Sequence, residues 1–308
     1  MIEARNLTKR YGEKTAVDGV SFTIPAGTVT GFLGPNGAGK STTMRMIVGL
    51  DRPTSGSVTV NGAHFRRHRS PLREVGALLD ASAAHPGRSA RSHLRAIAAS
   101  HRIPHRRVDD VIEMTGLSAV AHQRVKGFSL GMGQRLGIAG ALLGDPRTLI
   151  LDEPVNGLDP EGVTWVRTLV RQLAAEGRTV LLSSHLMSEM AMTADHLLVI
   201  GRGRILAAGP VQDVIDSATG AVVVVASPQA GELGARLEAT GAVVDRAEDG
   251  GLRVRGTSAQ AVGALAARDG IVLHELRLQR ASLEEAYLSL TGTAVEYRST
   301  TTTTETSR

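Results

Sequence analysis

The stretch GPNGAGKST, Gly34 to Thr42, constrains the fold of this chain more than any other part of its sequence. It follows the apolar segment TVTGFL and opens a segment with helical spacing at residues 39–50. The pattern G-x-x-x-x-G-K-[ST] between a strand and a helix is typical of a phosphate-binding loop, because glycines let successive N–H groups curl around a phosphate. This strand–loop–helix unit predicts an α/β fold.

The residues that close the loop, together with a second segment, predict the chemistry. Lys40 is expected to reach the β and γ phosphates of a nucleotide, and Ser41 to ligate Mg²⁺. TLILDEP at residues 148–154 is an apolar run ending in acids, as expected of a buried parallel strand. Asp152 is placed to hold Mg²⁺ directly or through water, and Glu153 to orient or deprotonate an attacking water.

The rest of the chain is predicted to form a helical region and a second, smaller domain. Residues 85–145 are expected to be mainly helical, as a subdomain of a first domain spanning residues 1–216, and LLVIGRGRILAAG at 197–209 is expected to form a hairpin. Residues 217–294 have the order β-α-β-β-α-β, which predicts a small α+β, ferredoxin-like domain. Residues 295–308 form a tail that we expect to be disordered.

Helix starts in the second domain carry capping signals. Thr257 with Gln260 and Ser282 with Glu285 have the spacing of capping boxes, and Ser227 is expected to cap a helix that starts at Pro228.

Composition excludes several classes of protein. The 308 residues contain no cysteine, which excludes a disulfide framework and cysteine-based metal sites. The N-terminus lacks the apolar core of a signal peptide, and no apolar run approaches the ~20 residues of a membrane span, so we expect a soluble or peripheral protein. The net charge is +5, with basic clusters at 65–73 and 101–107. Neither cluster interleaves aromatic residues, so nucleic acid is not the expected partner.

A second helix start also suits an anion. FSLGMGQRLGIA, residues 128–139, opens with a serine and two glycines and continues as an apolar helix, which leaves free N–H groups at its N-terminus. In order along the chain stand Lys40 with Ser41, FSLGMGQR, LILDEP, GLDP and SSH. These five motifs resemble those of the ATP-binding subunits of ABC transporters over residues 1 to about 216, which implies a phosphate-loop ATPase core of ABC type with a helical subdomain.

The resemblance implies a reason why one chain has two helix N-termini that suit an anion. In this family two subunits pack head to tail, so that each signature helix closes over the ATP on the phosphate loop of its partner. Ser129, Gly131 and Gln134 are the signature residues implied to serve the partner's ATP, whereas Leu130 and Met132 depart from the family pattern. The dimer is either a homodimer or a heterodimer.

The resemblance also assigns the remaining site residues. Tyr11 is implied to stack on adenine, His185 to contact the γ-phosphate in catalysis, and Asp159 to couple the two sites across the dimer. The family's glutamine loop contains no glutamine here, and Asp80 takes its place as a metal-proximal residue. The implied ATP-binding residues are Tyr11, Gly34, Asn36, Gly37, Ala38, Gly39, Lys40, Ser41 and Thr42.

The function implied is ATP hydrolysis that powers a separate polytopic membrane permease from the cytoplasmic face of the cell membrane. SLEEAYLSLTG at 282–292 resembles the ending of the drug- and antibiotic-resistance type, including the daunorubicin class, which implies export of a small molecule. The alternative is a soluble ABC ATPase acting in translation or DNA repair. A phosphate-loop kinase or GTPase outside the family fits less well, because no guanine-reading N-K-x-D stretch is present.

Overall fold

The computed structural model describes residues 1–80, 84–220, 222–247, 250–279 and 281–292, and the expected disordered tail at 295–308 lies outside them. The chain divides into two units, Met1–Gly209 and Pro210–Leu290. Composition placed the boundary at 216/217, whereas the two units divide between Gly209 and Pro210.

The first unit contains two sheets. Its strands are β1 (Ile2–Tyr11), β2 (Lys14–Ile24), β3 (Val29–Leu33), β4 (Ser55–Val60), β5 (Val75–Leu78), β6 (Thr148–Leu151), β7 (Thr179–Ser183), β8 (His196–Gly201) and β9 (Arg204–Pro210). A three-stranded antiparallel sheet has the order β2-β1-β4. A six-stranded sheet has the order β5-β6-β7-β3-β8-β9, and its first five strands are parallel.

Among the residues that the structure describes, seven α-helices accompany these strands. They are α1 (Lys40–Ile47), α2 (Pro71–Glu74), α3 (Ala90–Ser100), α4 (His105–Met114), α5 (Leu130–Leu142), α6 (Pro160–Ala175) and α7 (Met187–Thr193). Helices α3, α4 and α5 pack against one another within the region predicted to be helical. Across the described ranges, no helix is both long and apolar enough to cross a lipid bilayer.

The central strands of the large sheet are apolar on both faces, as parallel strands covered on both sides must be. Every residue of β3, β6 and β7 is buried, which confirms the strand predicted before the two acids. In the parallel register, Leu151 lies opposite Leu182, so the residues that follow β6 and those that end β7 meet at one edge. The phosphate loop leaves β3 at this edge too, since Phe32 pairs with Ser183.

The core of the first unit joins both sheets to α1. Phe32, Met44 and Ile47 are buried in one cluster with residues of β1, β4, β6 and β8. The predicted hairpin at 197–209 is confirmed, because β8 and β9 are neighbours joined by Arg202 and Gly203. Both turn residues have positive φ angles, 48° and 78°, as a two-residue type I′ turn requires.

The second unit contains α8 (Val211–Thr219), β10 (Val222–Ala226), α9 (Ala230–Ala239), β11 (Val243–Arg246), β12 (Leu252–Arg255), α10 (Ala259–Asp269), β13 (Glu275–Gln279) and α11 (Leu283–Thr291). The second unit ends at Leu290, so the last residue of α11 lies outside it. The four strands form an antiparallel sheet in the order β11-β12-β10-β13. From β10 to β13 the elements follow the order β-α-β-β-α-β of a split βαβ unit.

Two of the capping predictions need correction. Ser258, not Thr257, caps α10, because its hydroxyl accepts a hydrogen bond from the N–H of Ala261 at 3.1 Å. Helix α9 begins at Ala230, two residues after Pro228, although Ser227 accepts from the N–H of Gln229.

The capping box at α11 is confirmed. Glu285 accepts from the N–H of Ser282 at 2.7 Å and returns its own N–H to the Ser282 hydroxyl at 3.1 Å.

Candidate functional site

The phosphate loop connects β3 to α1, and glycines set its shape. Gly37 and Gly39 have φ angles of 80° and 111°, which side chains disfavour. A Cβ on Gly34 would lie 2.4 Å from the carbonyl oxygen of Ile200, and one on Gly39 would lie 2.6 Å from that of Ala16. The loop therefore keeps its position against the sheet only with glycine at these sites.

Lys40 begins α1 and turns back over the loop. Its ammonium donates hydrogen bonds to the carbonyl oxygens of Gly34 at 2.5 Å and Pro35 at 3.3 Å. Burial lowers the pKa of Lys40, while the nearby carboxylates of Glu153 and Asp152 act in the opposite direction. The cation thus lies where the loop and the two acids meet.

An open cleft joins the loop to these acids. The cleft is lined by Pro35, Asn36, Gly37, Gly39, Lys40, Ser41, Thr42, Asp152 and Glu153. Ala38 is 3% exposed, its N–H donates to the carbonyl oxygen of Pro35, and its own carbonyl accepts from Gly203. Of the loop residues predicted to bind a nucleotide, Gly34 and Ala38 therefore support the loop, whereas the others face the cleft.

Asp152 follows β6 and is held by two hydroxyls. Ser41 donates to its Oδ2 at 2.8 Å, and Ser183 donates to its Oδ1 at 2.5 Å. A hydroxyl and a carboxylate oxygen in contact are donors that suit Mg²⁺, which is usually bound by one or two protein oxygens together with substrate phosphates. The N–H of Asp152 donates to the carbonyl of Leu78 at 2.7 Å, which places Asp80, two residues beyond, at the same sheet edge.

Glu153 adopts a backbone conformation that is rare for its residue type. Its φ angle is 50°, in the left-handed region. The N–H of Glu153 donates to the hydroxyl of Ser183 at 2.9 Å, and its carbonyl oxygen accepts from Nε2 of Gln134 at 2.6 Å. Both sides of the Glu153 backbone are therefore held by buried side chains.

His185 lies against the carboxylate of Glu153. Its Nδ1 is 2.7 Å from Oε2 of Glu153, and its backbone N–H donates to the same oxygen at 3.3 Å. In a neutral ring this contact favours the tautomer with the proton on Nδ1. The structure thus brings Lys40, Ser41, Asp152, Glu153 and His185 together.

The N-terminus of α5, which is the second helix N-terminus suited to an anion, does not line this cleft. Ser129 caps α5 by accepting a hydrogen bond from the N–H of Met132 at 3.2 Å. Gly131 packs against the loop before α6, since a Cβ there would lie 3.1 Å from the carbonyl oxygen of Gly157. Leu130 is 63% exposed. The residues that line the cleft of the chain's own phosphate loop do not include Ser129, Leu130 or Gly131.

Gln134 lies elsewhere than expected from the family resemblance. We expected its side chain to serve the ATP of a partner subunit, but it is 4% exposed and bonds to Glu153 of its own chain. The physical reason is the helical period, which carries a residue five positions after Ser129 to the face of α5 that packs inward.

Asp159 caps α6. Its Oδ1 accepts a hydrogen bond from the N–H of Gly162 at 2.9 Å, so in this structure the carboxylate satisfies a helix end.

Tyr11 ends β1 beside α1. Its hydroxyl donates to Asp51 at 2.9 Å, and the ammonium of Lys9 lies 4.9 Å from the ring centroid. Burial and the Asp51 carboxylate raise the pKa of Tyr11. The side chain is 49% exposed, so its ring offers a surface for stacking.

Ser183 is the site residue that the sequence did not reveal. Its hydroxyl links Asp152 to the N–H of Glu153, and its side chain is fully buried. The signal lay in SSH, because the residue two positions before His185 ends the strand beside β6. Only the register of β6 and β7 shows that this serine faces the two acids.

Comparisons with known proteins show which family this chain is similar to. The sequence profile described as "ABC transporter" matches residues 17–156, and a profile described as a domain of unknown function matches residues 221–284. The daunorubicin resistance ATP-binding protein DrrA3 of Streptomyces coeruleorubidus is 35% identical over 92% of this chain and 93% of that protein. The bacitracin transport ATP-binding protein BcrA of Bacillus licheniformis is 42% identical over 67% and 68%.

A solved structure of the ATP-binding subunit of an ABC transporter matches with a TM-score of 0.65 and 26% identity, over 70% of this chain and 92% of that one. The family profile and the similarity to DrrA3 over most of both chains show the family, and the chain belongs to the ATP-binding subunits of ABC transporters.

Proposed function

We propose that this chain binds ATP with Mg²⁺ in the cleft between its phosphate loop and Glu153, and that hydrolysis there powers a separate polytopic membrane permease. The observation that carries the proposal is the meeting of Lys40, Ser41, Asp152, Glu153 and His185 in one place. These residues belong to three motifs that are distant in sequence, and they supply the cation, the metal-binding oxygens and the base that phosphoryl transfer requires.

The loop residues bind and orient the phosphates. The ammonium of Lys40 exchanges its bonds to the Gly34 and Pro35 carbonyls for bonds to phosphate oxygens, and the N-terminus of α1 favours the negative charge by about 0.3–1 kcal/mol. Ser41 and Asp152, with Asp80 at the same edge, are the residues that would hold Mg²⁺. Bound there, the metal neutralises charge on the β and γ phosphates.

Glu153 acts on the water. One carboxylate oxygen of Glu153 is held by His185, which leaves the other to accept a proton from a water aligned with the γ-phosphate. His185 fixes the direction of the carboxylate through Nδ1, and with both ring nitrogens protonated its Nε2 can donate a hydrogen bond to the γ-phosphate. The ring of Tyr11 provides the stacking surface for adenine.

The signature end of α5 supports a dimer. Ser129 and Gly131 do not line the cleft of the chain's own loop, so the nucleotide that they suit lies on a second subunit. In a head-to-tail dimer both sites form at once, and Asp159 stands at the start of α6, near the contact between them. The dimer is a homodimer or a heterodimer, at the cytoplasmic face of the cell membrane.

Relatives support export as the transport direction and small molecules as the cargo. DrrA3 is named for daunorubicin resistance and matches this chain over nearly its whole length, and BcrA is named for bacitracin transport. We infer export of a drug, antibiotic or other small molecule. The soluble alternative, an ABC ATPase in translation or DNA repair, is less well supported, because the relatives reported above are transport or resistance subunits.

The test is a pull-down of the tagged full-length chain from its native membranes in mild detergent, followed by mass spectrometry. We expect a stoichiometric polytopic membrane protein, and we expect the pair to hydrolyse ATP only with Mg²⁺ present. Recovery from the cytosol with ribosomes or nucleic acid attached, and no membrane protein, would overturn the transporter proposal in favour of the soluble ATPase.

A further inference from the structure

The backbone of Glu153 is held in the left-handed region by two side chains. A non-glycine residue at a φ of 50° occupies an uncommon conformation that the surroundings must maintain. Ser183 accepts from the N–H of Glu153, and Gln134 donates to its carbonyl oxygen. The same carbonyl accepts from the N–H of Asn156 at 3.2 Å, which closes the turn after β6.

Gln134 is a buried residue whose side chain donates a hydrogen bond to the Glu153 carbonyl. Its side chain is 4% exposed, and its Nε2 lies 2.6 Å from the Glu153 carbonyl. Its Oε1 is buried, and among the described residues no donor reaches it. A buried amide with one half unsatisfied lowers stability relative to an apolar side chain of the same shape. Packing in α5 therefore gives no reason for glutamine at this position.

We infer that Gln134 is a positioning residue for hydrolysis, which acts by fixing the backbone of Glu153 so that the carboxylate points at the attacking water. This inference rests on the proposed function of Glu153 as the base. The conformation of Glu153 directs its side chain toward His185, at 2.7 Å, and the Gln134 bond opposes relaxation of that backbone to a common conformation. A displacement of the base by about 1 Å lowers a rate by up to 10²-fold.

The first test compares Gln134→Met with the wild type in the full-length chain. Methionine has nearly the shape of glutamine but no donor. We expect kcat for ATP hydrolysis to fall by about 10- to 100-fold, while the KM for ATP changes by less than about 2-fold, because Gln134 is absent from the cleft lining. A fall in nucleotide affinity with kcat unchanged would overturn the inference.

Thr115→Val is the matched control. Thr115 is the fully buried C-cap residue of α4, and its hydroxyl donates to the carbonyl of Val111 in the last turn of that helix at 2.7 Å. The change removes a buried polar contact that does not involve the site, so we expect lower thermal stability with kcat unchanged. An equal loss of kcat in both variants would mean that Gln134 acts through stability alone.

A double-mutant cycle separates positioning from general disruption. In the Glu153→Gln background there is no base to direct, so adding Gln134→Met should change the single-turnover rate by less than about 2-fold. A further 10-fold loss in that background would overturn the inference.

The proposed base and the proposed role of Gln134 can be tested separately. Normal turnover by Glu153→Gln alone would remove the proposed base. An inactive Glu153→Gln protein combined with normal turnover by Gln134→Met would leave the base in place and overturn only the role of Gln134.

Discussion

The two units of this chain differ most in where they bury polar side chains. In the first unit Thr43, Gln134 and Ser183 are all buried, and each bonds to a backbone or side-chain atom at the edge where the phosphate loop meets the acids. In the described part of the second unit, every buried side chain is apolar, among them Val223, Leu233 and Val254.

Charged groups show the same contrast. In the first unit Asp152 and Glu153 are held by hydroxyls, a histidine and a backbone N–H group at the sheet edge beside the cleft. In the second unit several acids pair instead with arginines, as Asp245 does with Arg255 at 2.7 Å. The difference teaches that chemistry resides in the first unit, whereas the second is organised as a stable apolar core.

The strongest test of this contrast is the same substitution in each unit. Glu153→Gln removes the base but keeps the size of the side chain, so we expect ATP to be retained and kcat to fall by roughly 10²- to 10⁴-fold. Glu232→Gln in α9 alters only an exposed pair with Arg236 and should leave kcat unchanged. ATP binding and steady-state hydrolysis measure both, and a normal rate for Glu153→Gln contradicts the assignment of the base.

The second test creates a cavity in the core of the second unit. Leu233→Ala removes a fully buried side chain of α9 and should destabilise that unit by about 2–5 kcal/mol. Calorimetry should show its unfolding transition at a lower temperature. Below that transition, kcat should stay within about 2-fold of the wild type. If hydrolysis fell in parallel with stability, the second unit would have to contribute to the site, and the contrast would fail.

A smaller effect is expected from Ser183→Ala. The change leaves the N–H of Glu153 without its acceptor and Asp152 without one donor, so we expect kcat to fall by about 10-fold, which corresponds to ~1.4 kcal/mol. Titration of ATPase activity with Mg²⁺ should also show that the variant needs a higher Mg²⁺ concentration for half-maximal activity. Ser258→Ala, which removes a helix cap in the second unit, is the control and should change thermal stability only.

The smallest effect concerns pH and the second unit. Hydrogen bonds from Arg268, and then from Arg236, lower the pKa of Asp269 to about 2 from its usual 3.8. Because the folded pKa is the lower one, this carboxylate stabilises the fold above about pH 4, and the contribution is lost as pH falls toward 2.

Urea unfolding at pH 7 should therefore show Asp269→Asn to be less stable than the wild type, and the gap should narrow between pH 4 and pH 2. A gap that is constant with pH would show that the ion pairs of Asp269 contribute nothing.

Much of the fold followed from local pattern. The phosphate loop, the buried strand before Asp152, the hairpin at 197–209 and the capping box at Ser282 each depend on residues within about ten positions of one another. Local spacing determines dihedral preferences and which face of an element is apolar. The predicted cap at Thr257 was wrong, because neighbouring serine and threonine residues compete for the cap position.

Side-chain partners across elements did not follow from pattern. The motif containing Gln134 is clear in the sequence, but the inward direction of its side chain depends on how α5 packs beside β6. Asp159 appeared as a loop aspartate, and its role as the cap of α6 depends on the exact residue at which that helix begins.

The sequence by itself determined which chemical groups this protein has and that they stand at strand ends and helix starts, because these features are local. The tertiary structure decided which groups meet. Gln134 and Glu153 are 19 positions apart, and Asp152 and Ser183 are 31 apart. Such contacts depend on the register of parallel strands and on the rotation of a packed helix, which are set by the burial of many distant side chains at once.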